Sequence, residues 1–434
     1  MSLFAIGIIG LIICFVLIFL RVPIYIAFAA VGFFGVWAVR GLKPALSAIG
    51  SVPYSTASMY VWTVVPLFVF MGFMALHSGL AQEFFIGVRK WIGHFRGGLA
   101  MAVVVGNTGF GACTGDPVSA AATFTAMCLP EMRKFKYDDK LTLGAIGAAS
   151  VLAGLIPPSL SFILYGALTE TSIGRLFIAG IIPGLLLTGL YLAVIVYECW
   201  RNPDIGPPGP QETWRERWRA GTGMWALIAV FAVIIGGIFA GLFTPTEAGA
   251  AGAFIVCALA LIRRKITWQG FKETLFTTGV TVGMVGFLLI GTMVFNVFLV
   301  VTHVPMGIAQ FIGGVTESPV LTLWVIVVVI WILGMFIDAL ALALIMIPIL
   351  FPVACHMGID PVHFGVVTTV AMLSGCLTPP FGIVIYAVAG TAKDVPLFSI
   401  FRGALPFLIA VIVMQVLVVH IPQLSTFLPG LMFE

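Results

Sequence analysis

The sequence predicts an all-α polytopic membrane protein built from two inverted-topology repeats, each with a re-entrant helical hairpin and a broken helix. Three observations carry this prediction. Of 434 residues, 61% are hydrophobic and 9% charged, against about 25% charged in soluble domains, which excludes a soluble globular protein. Apolar segments of about 20 residues, enough to cross a bilayer, recur along the whole chain. Finally, GLIPPSLSFILYG (154–166) and GCLTPPFGIVIYA (375–387) place Pro-Pro breaks inside such segments at corresponding points of the two halves.

Taken in order, full crossings are expected near 3–20, 22–39, 58–80, 141–166, 174–200, 222–242, 246–262, 270–300, 363–388 and 397–421. The N-terminal stretch has no basic flank and no small-residue cleavage site, so it reads as a retained span and not a signal peptide. Segments 98–129 and 320–352 are interrupted by polar or small residues and read as re-entrant hairpins. The first half is then 1–200 and the second 222–434. Between them lies a cytoplasmic linker, 201–221, whose Pro/Gly-rich start is loop. Trp214 and Trp218, one helical turn apart among charges, predict a short interfacial helix there.

With the N-terminus outside, 18 of the 21 basic residues fall on one side, and only Arg40, Lys43 and Arg175 on the other. The positive-inside rule makes the richer side cytoplasmic and puts both termini outside.

The halves match when shifted. At 221 residues Asp139 meets Asp360, Gly144 meets Gly365, Gly154 meets Gly375, Pro158 meets Pro379 and Tyr165 meets Tyr386; at 222, Asp116 meets Asp338 and Pro130 meets Pro352. The matched segments cross in opposite directions, the pattern of inverted-repeat secondary transporters.

That pattern gives the breaks a purpose. Pro157 and Pro158 remove backbone donors and free carbonyls near 153–155; the Thr378-Pro379-Pro380 break does the same near 374–377. Free carbonyls at bilayer depth persist only where they line a cavity or bind something. Asp116 is a candidate N-cap with Pro117 at the first helical position, and Asp338 stands at the equivalent tip. Hairpin tip, carboxylate and unwound helix together offer hard oxygen ligands for an alkali cation. Half-helix N-termini beside Thr114, Asp116, Ser119, Ser159 and Thr378 would face an anionic substrate.

Other polar residues have plainer readings. Ser161, Thr368 and Thr369 are expected to bond back to their own helices, and Glu247 in GLFTPTEAGA to cap a helix or contact the scaffold. His77, His94, His303, His356, His363 and His420 fall near span ends, which implies interfacial placement. The seven cysteines are scattered singly and read as packing residues. No P-loop motif is present. Two membrane acids also occur in intramembrane aspartyl proteases, but Cys113 stands where the Gly-x-Gly-Asp motif needs its first glycine.

Over essentially its whole length the chain resembles the large membrane subunit of tripartite ATP-independent periplasmic (TRAP) transporters. The most specific segments are LPEMRKFKYDD (129–139), GLIPPSLSFILYG, TSIGRLFIAGIIPGLL (171–186), GLFTPTEAGA (241–250), GMFIDALALALIMIPILFP (334–352), GIDPVHFG (358–365) and GCLTPPFG (375–382). The resemblance implies no enzyme but a sodium-driven importer of a small organic acid, an elevator-type member of the ion transporter superfamily in the bacterial inner membrane. It implies three kinds of partner: a small four-helix membrane subunit, a periplasmic substrate-binding protein and the lipid bilayer. No nucleic acid and no organic cofactor are expected. Sodium as the coupling ion would be held by Thr114, Gly115, Asp116, Gly154 and Pro157 in one half and by Ile337, Asp338, Gly375 and Thr378 in the other. The family usually carries Ser-Gly-Ser-Ser at the first tip, where this chain has Thr114-Gly115-Asp116-Pro117. That extra charge leaves room for tighter cation binding, proton coupling or altered anion selection. The alternative function is a stand-alone cation-coupled carboxylate carrier.

Overall fold

The computed structural model of the chain describes residues 2–315 and 318–432, without the side chains of 112–114, 219, 222–223 and 311–315. Among the described residues the regular elements are all helices, with no strand. The first half opens with α1 (Leu3–Phe19), α2 (Ile24–Arg40), α3 (Leu42–Ala57), α4 (Val64–His77) and α5 (Leu80–Ile92). A hairpin follows, α6 (Gly98–Thr114) and α7 (Pro117–Lys134). Next comes a broken helix, α8 (Asp139–Val151) and α9 (Leu160–Thr169), and then α10 (Ile173–Arg201). The second half runs through α11 (Trp214–Phe239), α12 (Pro245–Ile262), α13 (Trp268–Val301) and α14 (Val304–Val315). Its hairpin is α15 (Pro319–Gly334) and α16 (Ala339–His356), and its broken helix α17 (Pro361–Leu377) and α18 (Ile383–Thr391). The last elements are α19 (Leu397–His420) and α20 (Gln423–Thr426).

Local chemistry sets these boundaries. Asp138 accepts from Lys140 N (2.7 Å) to start α8, and Asp360 accepts from Val362 N and His363 N (both 2.9 Å) to start α17. Thr213 with Glu216 and Thr244 with Glu247 form reciprocal capping boxes at α11 and α12. Glu247 is thus a cap, as its sequence position suggests.

The centre of the molecule is a pair of antiparallel broken helices. Every residue from Leu141 to Val151 is buried, as is every residue from Val362 to Leu377, so both helices are enclosed all round. Tyr165 Oη, late in α9, donates to the Pro361 carbonyl at the start of α17 (2.6 Å). Gly154, at the first break, packs on Leu373, and Gly147 in α8 packs on Ile385 of α18. Each half of one broken helix thereby meets the opposite half of the other, which is the inverted-repeat relation seen in space. Outside this core α13 packs along α2, where Phe28 stacks on Phe295 at 5.3 Å, and along α3 and α4. At about 1.5 Å per residue, the 34 residues of α13 exceed a hydrocarbon core of about 30 Å.

Ion pairs cluster around α5 and at the start of α8. α5 is amphipathic: it buries Leu80, Phe84, Phe85 and Val88. Its polar side pairs Glu83 with Arg263 (3.1 Å) and Lys265, Arg89 with Glu131, and Lys90 with Glu212 (4.0 Å). Arg133 joins the halves by pairing with Asp139 (2.8 Å) and Asp394 (2.7 Å).

Three sequence expectations need correction. No separate interfacial helix occupies 214–221; Trp214 and Trp218 belong to the first turns of the continuous α11. Glycines at 221 and 223 cost about 1 kcal/mol each but do not remove a backbone donor as proline does. Helices α3, α5 and α14 fall outside the anticipated crossings, being short or amphipathic and therefore weak in a hydropathy reading. His363 is not interfacial: it is buried, with Nδ1 2.7 Å from Ser425 Oγ of α20.

Candidate functional site

Each hairpin tip touches the break in its own half. At the first, Asp116 is the N-cap of α7, with Oδ2 accepting from Ser119 N (2.8 Å) and Oδ1 from Val118 N (3.3 Å); Pro117 sits at the first helical position. Gly115 before it has φ +64°, and a Cβ there would stand 3.1 Å from Leu160 N and 3.3 Å from the Pro158 carbonyl. Both the left-handed backbone and the close approach to the break call for glycine. Beside it, Ser159 Oγ donates to the Gly154 carbonyl (2.6 Å) while capping α9. A carbonyl released by proline is therefore partly satisfied within the break. Ser161 Oγ, two residues on, is buried with no hydrogen-bond partner among the described residues.

The second tip repeats this arrangement in different residues. Asp338 caps α16, accepting from Leu340 N (3.0 Å), and follows the buried Ile337. Gly334 and Gly375 meet backbone to backbone: a Cβ on Gly375 would lie 2.6 Å from Gly334 Cα and carbonyl carbon. Trp331 Nε1 donates to Thr378 Oγ1 (2.8 Å), which itself donates to the Ser374 carbonyl (2.7 Å). The Thr378 hydroxyl is thus largely committed, leaving its neighbourhood of backbone carbonyls as the freer oxygen source.

The two breaks are neighbours, since Gly154 at the first packs on Leu373 in the last turns of α17, just before the second. Asp116 and Ser119 face a small cavity closed by Val69 and Phe73 of α4, Leu160 of α9 and Thr281 of α13. The first tip therefore looks onto helices outside the hairpin and broken-helix core. Among the described residues no lysine or arginine lines that cavity. Hard oxygens, two acids and an absence of local basic groups suit a small cation.

At the first tip Gly115, Asp116 and Ser119 stand against Pro158 and Leu160 of the break, where Ser159 bonds to Gly154; beside the second, Gly375 meets Gly334, Asp338 caps α16 after Ile337, and Thr378 ends α17. The side chain of Thr114 lies outside the described residues. Sequence reasoning passed over Trp331, Gly334, Phe73 and Thr281. Ser161 was expected to bond back to its helix, as Thr368 does to the Phe364 carbonyl (2.8 Å), but it stands in the first turn after the break. Trp331, Phe73 and Thr281 carry no local signal, because tertiary packing alone brings them to the site.

Comparison with known proteins agrees with this architecture. The chain is 34% identical over 380 residues to the C4-dicarboxylate TRAP transporter large permease protein DctM of Pseudomonas aeruginosa, covering 87% of this chain and 88% of that protein. It is 33% identical to the sialic acid TRAP transporter large permease protein SiaM of Vibrio cholerae (85% and 86% covered). The ectoine/5-hydroxyectoine TRAP transporter large permease protein UehC of Ruegeria pomeroyi is 34% identical (85% and 86%). The crystal structure of the YdaH transporter of Alcanivorax borkumensis shares the fold, with a TM-score of 0.63 at 14% identity over 88% of each chain. Residues 11–424 match the family model for the DctM component of tripartite ATP-independent periplasmic transporters, and the chain belongs to that family.

Proposed function

We propose that this chain is the cargo-moving membrane subunit of a sodium-driven importer of a small organic acid. A periplasmic binding protein delivers the acid, and a small four-helix membrane subunit completes the complex in the bacterial inner membrane, with both termini of this chain on the periplasmic side. The observation that best supports this reading is the pairing of each hairpin-tip carboxylate, Asp116 and Asp338, with a proline-broken helix. Sodium is cargo at these tips. Gly115, Asp116, Gly154 and Pro157 in one half and Ile337, Asp338, Gly375 and Thr378 in the other would hold it, with the Thr114 position beside them. The organic acid would meet the first tip through Ser119 and Ser159 and the backbone donors of the half-helices.

The arrangement suits coupling for a physical reason. Two carboxylates without a basic partner disfavour an approaching anion, and positive charge at the tips removes that penalty. Substrate binding then depends on prior cation binding. An elevator motion would carry both tips together, because each tip is packed against its own break, while α4 and α13 form the surface they slide against.

The relatives are named for C4-dicarboxylate, sialic acid and ectoine, so the acid carried here is a matter for assay. The test is uptake of a labelled organic-acid panel into proteoliposomes containing the chain and its small subunit. The binding protein and an inward sodium gradient are each supplied or withheld. Uptake requiring both supports the reading. Uptake without the binding protein favours the stand-alone carrier, and uptake indifferent to sodium refutes the coupling.

A further inference from the structure

The junction of α5 and α11 carries donors without acceptors among the described residues. The Trp91 ring meets Trp214 edge-on at 6.2 Å and Trp218 at 5.7 Å. The Arg217 guanidinium lies 5.2 Å from the centre of the Trp214 ring, and its Nη2 is 3.5 Å from His94 Nδ1. Two N–H groups in this corner, Arg217 Nε and Trp91 Nε1, are buried with no hydrogen-bond partner among the described residues.

Nearby acids do not answer them. Glu216 is spent on the capping box, accepting from Thr213 N (2.9 Å) and Thr213 Oγ1 (2.7 Å). Glu212 faces Lys90 and Glu131 faces Arg89. Among the described residues Arg217 has no carboxylate partner. Leaving a buried donor unmade is costly, more so when it carries charge. Meanwhile Trp214 and Trp218 stay 67% and 58% exposed, an unfavourable placement in water and a favourable one at a lipid headgroup boundary.

We propose that this corner binds the phosphate of an anionic phospholipid. Arg217 supplies the positive charge and, with the Trp91 indole N–H, the donors to the phosphate. Trp214 and Trp218 lie against the glycerol and upper acyl region. The amphipathic α5 gives the corner its depth, since its buried face is held in the protein and its polar face is at the boundary. The chemistry recognised is a phosphate anion, and the flanking exposed indoles select the lipid over free phosphate. Such a lipid would tie the segment that links the two halves to α5 and stabilise the complex in anionic membranes.

The test uses the purified complex of this chain with its small subunit in detergent, stripped of lipid. Its thermal unfolding is followed with added phosphatidylglycerol, phosphatidylcholine or inorganic phosphate. Phosphatidylglycerol is expected to raise the unfolding temperature and the other two to have little effect. Arg217→Gln should weaken the apparent affinity for phosphatidylglycerol about fivefold, the equivalent of roughly 1 kcal/mol for one basic residue at an anionic surface. Trp91→Phe, which keeps an aromatic side chain but removes the indole N–H with the pyrrole part of the ring, should weaken it in the same direction. Arg217→Lys should keep part of the response, separating lost affinity from misfolding. Stabilisation by inorganic phosphate equal to that by phosphatidylglycerol would assign the site to free phosphate and overturn the lipid. An equal response in wild type and both donor-deleted variants would overturn the site, as would no response to phosphatidylglycerol at all.

Discussion

Substitution of Gly375 by alanine probes the second tip most directly. A Cβ at this position would lie 2.6 Å from the Cα and carbonyl carbon of Gly334 and 3.0 Å from its oxygen. Ordinary carbon contacts begin near ~3.5 Å, so the hairpin and the broken helix must separate by about 1 Å. Neither neighbour is a flexible side chain that can swing aside. Overpacking of this kind costs about 1–3 kcal/mol. It also opens the junction between Asp338 and the carbonyls of the α17 break, and a ligand set loosened by about 1 Å performs poorly. Gly375→Ala should therefore lower the thermal stability of the purified complex and raise the sodium concentration needed for half-maximal uptake. Gly390→Ala is the control, because nothing lies within 4 Å of a Cβ at that position of α18. Adding a methyl group there should be neutral or stabilising by up to about 1 kcal/mol. If Gly375→Ala matches Gly390→Ala in both stability and sodium activation, the backbone contact does not shape the site and the reasoning fails.

Asp338→Asn should weaken the sodium dependence of uptake, and an unchanged sodium activation curve would remove Asp338 from the cation set. Asp116→Ser should weaken the sodium dependence of uptake while leaving the helix cap largely in place; an unchanged sodium activation curve would reduce Asp116 to a cap. Tyr165→Phe deletes the donor to the Pro361 carbonyl and should cost about 1–3 kcal/mol in unfolding measurements, with no loss counting against that link between the broken helices. The Arg133 guanidinium holds the Asp394 carboxyl below its usual range. A depressed carboxylate stabilises the fold above its ordinary value and loses that contribution as pH falls through the folded one. Asp394→Asn should thus be less stable than wild type at neutral pH and converge with it in acid below about pH 3.9; a gap that persists in acid would refute the pairing.

Hydropathy, proline and charge were legible because they act through solvent and backbone. Twenty apolar residues demand a membrane in any arrangement, Pro157 and Pro379 deny donors wherever they sit, and Asp116 and Asp338 cap whichever helix follows them. The amphipathic α5 and the weakly apolar α3 were hidden because half-buried helices dilute the same signal. The continuity of α11 was hidden because a charged first turn reads as linker until its cap is seen.

By itself, the sequence determined the class of fold, the two repeats and the acids at the hairpin tips, since these follow from local rules that hold before any helix meets another. Only the tertiary structure decided which groups complete the site. Trp331 reaches Thr378 across 47 residues, Gly334 meets Gly375 backbone to backbone, and Thr281 faces Asp116 from another helix. Such contacts arise from how side-chain volumes pack between distant segments, and no spacing along the chain encodes them.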